Sequence, residues 1–175
     1  MKCCFLQPTK WILLGLMAMG FSTLRAQVAG TVYYREKFRP QFHFTPQKNW
    51  MNDPNGLIYH NGEYHLYYQH NPFRNLWGHM SWGHATSRDL LHWKSHPLAL
   101  REEEGRMAFS GSVVADPLNR SGFAQRKGET PLVAVYTRHD SLLQNQYLGI
   151  SVDQGKSFQN YTGNPVLDLN LKDFR

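Results

Sequence analysis

From residue 56 onward, short apolar and aromatic runs alternate with clusters of Gly, Asn, Asp, Pro and Ser, the pattern of β strands divided by turns. Residues 56–59 (GLIY) read as a first strand and 63–69 (EYHLYYQ) as a second. Between them His60-Asn61-Gly62 is a tight hairpin turn, because Asn-Gly supplies the positive φ values such a turn requires. Residues 80–87 and 92–100 are the third and fourth strands. The same order recurs over 111–114, 131–137, 146–152 and 158–167.

The connecting turns repeat as well. Ser87-Arg88-Asp89 followed by Trp93 returns as Ser151-Val152-Asp153 followed by Phe158, an offset of 64 residues from Ser87 to Ser151. His96-Pro97-Leu98 and Asn164-Pro165-Val166 echo each other at an offset of 68. Four antiparallel strands recurring at this period predict an all-β fold built of β-propeller blades, whereas a sandwich of meandering strands predicts no four-strand period. Residues 40–175 then hold about two blades and the start of a third. Propellers close with roughly 4–8 blades, so the second blade is expected to show a bare edge and an apolar face, as in the N-terminal part of a longer protein.

The first 26 residues do not follow this pattern. Lys2 and Lys10 precede an apolar run over 11–21, followed by Ser22-Thr23-Leu24-Arg25-Ala26, the layout of a secretory signal peptide cleaved after Ala26. The run is 11 residues long, and a bilayer span takes about 20, so no membrane anchor is expected. Cys3 and Cys4 fall within this leader, which leaves no cysteine for a disulfide framework after cleavage. The expected destination is periplasmic or outside the cell. Residues 27–39 read as an extended N-terminal arm.

Of the formal net charge of +6, three units come from Lys2, Lys10 and Arg25 in the acid-free leader, leaving +3 for residues 27–175. No Lys/Arg run occurs, and no nucleic-acid partner is expected. Aromatics make up 14% of the chain and crowd the motif regions, which suits sugar-face contacts as well as β packing. The nine histidines are scattered with no HExxH-type spacing, so neither a metal nor another cofactor is predicted. His60, His65, His92 and His96 read as structural hydrogen-bonders.

The segment Asn49-Trp50-Met51-Asn52-Asp53-Pro54-Asn55-Gly56 admits two readings. Its residue types are those of a turn leading into a strand. It also offers Asp53 as a catalytic carboxylate held on a stiff backbone, and the two readings are compatible.

Five motifs in order, WMNDPNG (50–56), YYQHNP (67–72), WGHMSWGHATSRDLLHW (77–93), FSGS (109–112) and KDFR (172–175), identify a family. From Phe38 to Arg175 the chain resembles glycoside hydrolase family 32, the invertases, levanases and exo-inulinases, and most of all its levanase-type bacterial members. The resemblance implies a five-bladed propeller followed by a β-sandwich, and retaining hydrolysis of β-D-fructofuranosidic bonds in fructan (levan or inulin) or sucrose. It makes Asp53 the nucleophile and Asn52 a sugar contact. It places Gln69, Trp77, Phe109 and Ser110 around the terminal fructosyl unit. Arg175 falls at the start of the family's Arg-Asp-Pro motif, whose aspartate stabilises the transition state.

Two members of the family's machinery are missing from these 175 residues: that aspartate and the acid/base glutamate of a Glu-Cys motif. Glu36, Glu63, Glu102, Glu103, Glu104 and Glu129 match no such motif, and the chain alone is expected to be inactive.

Each candidate has a plainer alternative. Trp77 could pack between blades, as Trp82 and Trp93 are expected to. Gln69 could be a surface residue, Ser110 a turn serine and Phe109 a packing ring. A non-catalytic fructan-binding remnant is the competing function. The segment 151–158 also resembles the Asp-box turn of sialidases, with Asp153 in a structural role. Sucrose, inulin and levan all stay open as substrates, as does the oligomeric state.

Overall fold

Short β runs need neighbours to satisfy their main chains, and the repeat in the sequence supplies them locally. The computed structural model describes residues 33–174. Among these residues are nine strands: β1 (Met51–His60), β2 (Glu63–His70), β3 (Ser81–Ser87), β4 (Trp93–Leu100), β5 (Met107–Ala115), β6 (Leu132–His139), β7 (Gln144–Ser151), β8 (Gln159–Asn160) and β9 (Leu167–Leu171). They form two antiparallel sheets, β1-β2-β3-β4 and β5-β6-β7-β8, with β9 also paired to β7. Each sheet is a four-strand meander, as the period predicts. The hairpin at Asn61-Gly62 has φ values of 49° and 84°, the left-handed pair of a two-residue β turn.

Two expectations need correction. Residues 51–55 are not a turn before the first strand but its opening half. The fourth strand of the second sheet, expected over 158–167, is split into β8 and β9. Its break has a local cause. Pro165 brings no N–H to the ladder. The Asn164 side chain substitutes for main chain, accepting from Leu148 N and donating to Leu148 O, both at 2.8 Å.

The core lies between the two sheets. Tyr67 and Trp82 from the first pack with Ala108, Val113, Leu132, Ala134, Tyr136 and Tyr147 from the second, with Phe158 closing the cluster. Main-chain bonds from Ala108 N to Met80 O and from Phe158 N to Ala99 O, each 2.8 Å, join the sheets at two further points. Gly56 marks the closest approach of β1 to β5: a Cβ there would lie 2.6 Å from Val113 Cγ2, and its φ is +50°. On the face of the second sheet turned away from this core, Val114 and Val135 are exposed, as are Leu167, Leu169 and Leu171 of β9.

At one end of the second sheet the turn after β7 is organised by Asp153. Its Oδ1 accepts from Ser151 Oγ at 2.7 Å and from Ser157 N at 3.0 Å, and its Oδ2 accepts from Ser157 Oγ at 2.6 Å. Asp89 does the same after β3, taking the N–H groups of Leu91 and His92 at 2.9 and 2.8 Å. The Asp153 turn docks on the first sheet through Tyr67 Oη, which donates to Gly155 O at 2.7 Å. Beside that contact the rings of His65, His84 and His96 stack at 5.2 and 4.7 Å. Burial, then the neighbouring His96 and His65, pushes the pKa of His84 down to about 3.

Candidate functional site

The opposite end of both sheets holds the candidate residues, and the device that aims them is the same in each. Met51 pairs with His70 but Pro54 pairs with Tyr68, so Asn52 and Asp53 together oppose Gln69 in a β-bulge. In the second sheet Ala108 pairs with Arg138 and Gly111 with Tyr136, so Phe109 and Ser110 together oppose Thr137. An extra residue bends the strand and redirects its side chains, which is how bulges serve sites at sheet ends. The two bulges face each other: Ser110 Oγ donates to Asp53 Oδ2 at 2.7 Å.

Around this pair the polar side chains are fixed by mutual bonds. Asn52 Oδ1 accepts from Trp50 Nε1 at 2.8 Å. Gln69 is buried, at 2% exposure, which removes the plain surface position considered for it. Its Nε2 donates to Ala108 O at 3.0 Å and so holds the start of the second bulge. Asn55 is equally buried and was not anticipated. With its amide oxygen turned inward it accepts from Gln69 Nε2 at 3.0 Å and Trp82 Nε1 at 3.2 Å, and its nitrogen donates to Pro54 O at 3.2 Å. The reverse orientation offers only a 3.4 Å contact from Gly111 N, so the first is preferred on hydrogen-bonding grounds.

Trp77 and Phe109 form an aromatic edge at the same end. Trp77 is 55% exposed and meets Phe109 edge-on, with ring centroids 6.1 Å apart. Trp82, by contrast, is fully buried and donates Nε1 to Phe109 O at 2.9 Å, a packing role. Trp93 lies against Phe44.

The loop carrying Trp77 is tied down by Asn71, whose Nδ2 donates to Leu76 O at 2.8 Å and whose Oδ1 accepts from Phe73 N at 3.0 Å. Asn71 N also donates to Trp50 O, which links this loop to the segment leading into Asp53. An Asn that caps its own loop was legible in YYQHNP by residue type, since Asn bonds its neighbouring backbone.

A third segment reaches this end. Phe174 N donates to Gln144 Oε1 at 3.0 Å, and Phe174 O accepts from Gln146 Nε2 at 2.9 Å. Gln144 pairs with His139, and His139 pairs with Met107 at the start of β5. Residues 172–174 therefore arrive beside the bulges. Arg175, the signal-peptide reading of residues 1–26 and the first six residues of the arm at 27–39 lie outside the described residues. The signal that would have found the two glutamines is their i, i+2 spacing at a strand start, which places both on one face.

Chemically, an exposed carboxylate held by a hydroxyl donor, beside amide groups and aromatic faces, suits a polyhydroxylated ligand. Among the described residues no group of three His, Cys, Asp or Glu is placed to hold a metal ion. No helix among them is long and apolar enough to cross a membrane.

Known proteins share this sequence and fold. Residues 43–175 match the Glycosyl hydrolases family 32 N-terminal domain. A levanase of Bacillus subtilis is 50% identical over 161 residues, covering 91% of this chain and 23% of the levanase. An extracellular exo-inulinase of Aspergillus niger is 46% identical, covering 81% of this chain and 30% of the relative. The crystal structure of a β-fructofuranosidase from Schwanniomyces occidentalis, complexed with fructosyl-erythritol, superposes with a TM-score of 0.71 at 44% identity, over 75% of this chain and 27% of that one. The chain thus spans less than a third of each of these relatives. It belongs to glycosyl hydrolase family 32, and its two sheets are blades of the five-bladed propeller that forms the family's N-terminal domain.

Proposed function

We propose that the protein to which these residues belong is an exported retaining glycosidase that cleaves β-D-fructofuranosidic bonds in fructan or sucrose, with Asp53 as its nucleophile. The observation that carries this reading is the bond from Ser110 Oγ to Asp53 Oδ2, because it unites two family motifs from separate blades around one carboxylate. Breaking a fructofuranoside bond leaves oxocarbenium-like charge on the anomeric carbon. Asp53 attacks that carbon to form a fructosyl-enzyme ester, while a second, protonated carboxyl gives its proton to the leaving oxygen. Water then hydrolyses the ester with the second carboxylate as base, and the two groups must stand roughly 5–5.5 Å apart. Asn52 and Gln69 serve as hydroxyl contacts, and Trp77 and Phe109 as the apolar wall.

The second carboxyl is not among the glutamates described here. Glu36 is paired with Arg39, Glu63 with Arg88 and Glu102 with His79. Glu103 accepts from Asn160, Glu129 caps the N–H groups of Gln125 and Arg126, and Glu104 is exposed in the turn before β5. Residues 1–175 by themselves are therefore inactive in this reading: they bring Arg175 to the pocket, and the acid/base group comes from the remaining blades. The leader pattern and the extracellular exo-inulinase among the relatives support export. The test is Asp53→Asn in the full-length protein. Fructose release should vanish while the melting temperature holds, and undiminished release would overturn the assignment.

A further inference from the structure

Beyond the bulges, the β6–β7 hairpin brings a residue to the same end of the fold for which the proposed hydrolysis has so far no use. His139 stacks on Phe109 with ring centroids 4.5 Å apart and planes 15° from parallel. Phe109 adjoins Ser110, the partner of Asp53, so Asp53, Ser110, Phe109 and His139 follow one another outward from the carboxylate.

The proton on His139 can be placed from its neighbours. Gln144 Oε1 is committed to Phe174 N at 3.0 Å, so the amide end facing the imidazole is Nε2, 3.4 Å from His139 Nδ1. An amide nitrogen only donates, so Nδ1 accepts and the ring's hydrogen sits on Nε2. The hairpin is also held firmly. Asp140 Oδ1 takes the N–H groups of Leu142 and Leu143 at 2.7 and 2.8 Å. Those backbone bonds hold its carboxyl below the usual carboxylate range.

We infer that His139 is a specificity residue, whose Nε2–H donates to a hydroxyl of the sugar unit bonded to the departing oxygen rather than to the terminal fructosyl unit at Asp53. This rests on the fructosidase reading above. In the fructosidase reading the terminal furanose lies at Asp53 against the Trp77–Phe109 edge, and His139, stacked on Phe109, is left for the unit that follows. A stacked imidazole with one fixed donor suits that unit, since its face is covered and its edge is polar.

The experiment compares His139→Ala, His139→Phe and His139→Gln in the full-length protein, with kcat/KM measured on methyl β-D-fructofuranoside and on a fructan trisaccharide. The Phe variant keeps the stacking and loses the donor; the Gln variant restores a donor. Loss of one neutral hydrogen bond corresponds to a drop of about three- to ten-fold on the trisaccharide. The Ala and Phe variants should show it, the Gln variant should recover most of it, and methyl fructoside should change by less than about two-fold. Equal losses on both substrates, no loss on either, or a Phe variant matching wild type would each overturn the proposal. Trisaccharide affinity measured by calorimetry in the Asp53→Asn background gives the same comparison without turnover. Wild-type protein that releases fructose from neither substrate would instead sink the fructosidase reading, and this proposal with it.

Discussion

Ser110 Oγ stands 2.7 Å from Asp53 Oδ2, joining two residues 57 positions apart in sequence. Each lies on the bulge of the inner strand of its own blade, so the bond also aligns the blades. Replacing Ser110 by Ala leaves the exposed Asp53 carboxylate to water in the resting protein, and takes from the reacting carboxylate a positioning donor worth about 1.5–3 kcal/mol. In the full-length protein kcat/KM for fructoside hydrolysis should fall by roughly 10- to 100-fold, with the melting temperature little changed. Steady-state kinetics beside a thermal melt checks both halves.

Gly56 is the position where the two inner strands come closest. Alanine there would put its Cβ 2.6 Å from Val113 Cγ2 and 2.9 Å from the Tyr67 ring, at a backbone φ of +50°. Overpacking costs about 1–3 kcal/mol, and an L-residue forced into the left-handed region adds to it. Gly56→Ala should lower the urea midpoint of unfolding markedly. A midpoint equal to that of wild type would show that the sheets do not meet as described.

Acid should loosen the contact between the blades. His84 is wholly buried, and burial, with His96 and His65 beside it, takes its pKa from about 6.5 down to about 3. The folded state therefore keeps His84 neutral in a range where the unfolded chain binds a proton. The stabilisation is full above pH ~6.5, falls with a limiting slope of about 1.4 kcal/mol per pH unit, and is spent near pH 3. His60, His65 and His96 are also shifted downward, each chiefly by burial, and add in the same direction. Denaturant unfolding between pH 8 and pH 4 should show the decline, and His84→Gln should flatten it.

The repeat was legible because turn chemistry and strand chemistry differ: Asn61-Gly62 and the two serine-aspartate turns punctuate the chain where the structure places its connections. The bulges were not. Asn, Asp and Pro at 52–54 are poor strand formers, and they read as a turn because the cost of keeping them in β1 is met by tertiary contacts that a single segment cannot reveal. Among these are the Ser110 bond and the packing of Gly56 on Val113. The same limit hid Asn55 and Gln144, whose partners lie on other strands. Asp53, Asn52, Gln69, Trp77, Phe109 and Ser110 were reached through motif order, and the structure gathers them at one end of the sheets. The far end of the fourth strand was lost at Pro165, where an asparagine side chain takes over the work of the ladder.

The grip of Gln144 and Gln146 on Phe174 is made to its amide and carbonyl alone, never to its ring. The path of the polypeptide there is thus dictated by two distant side chains, whatever residue happens to occupy the spot. Any residue with a main-chain N–H, and so any but proline, keeps both bonds at position 174.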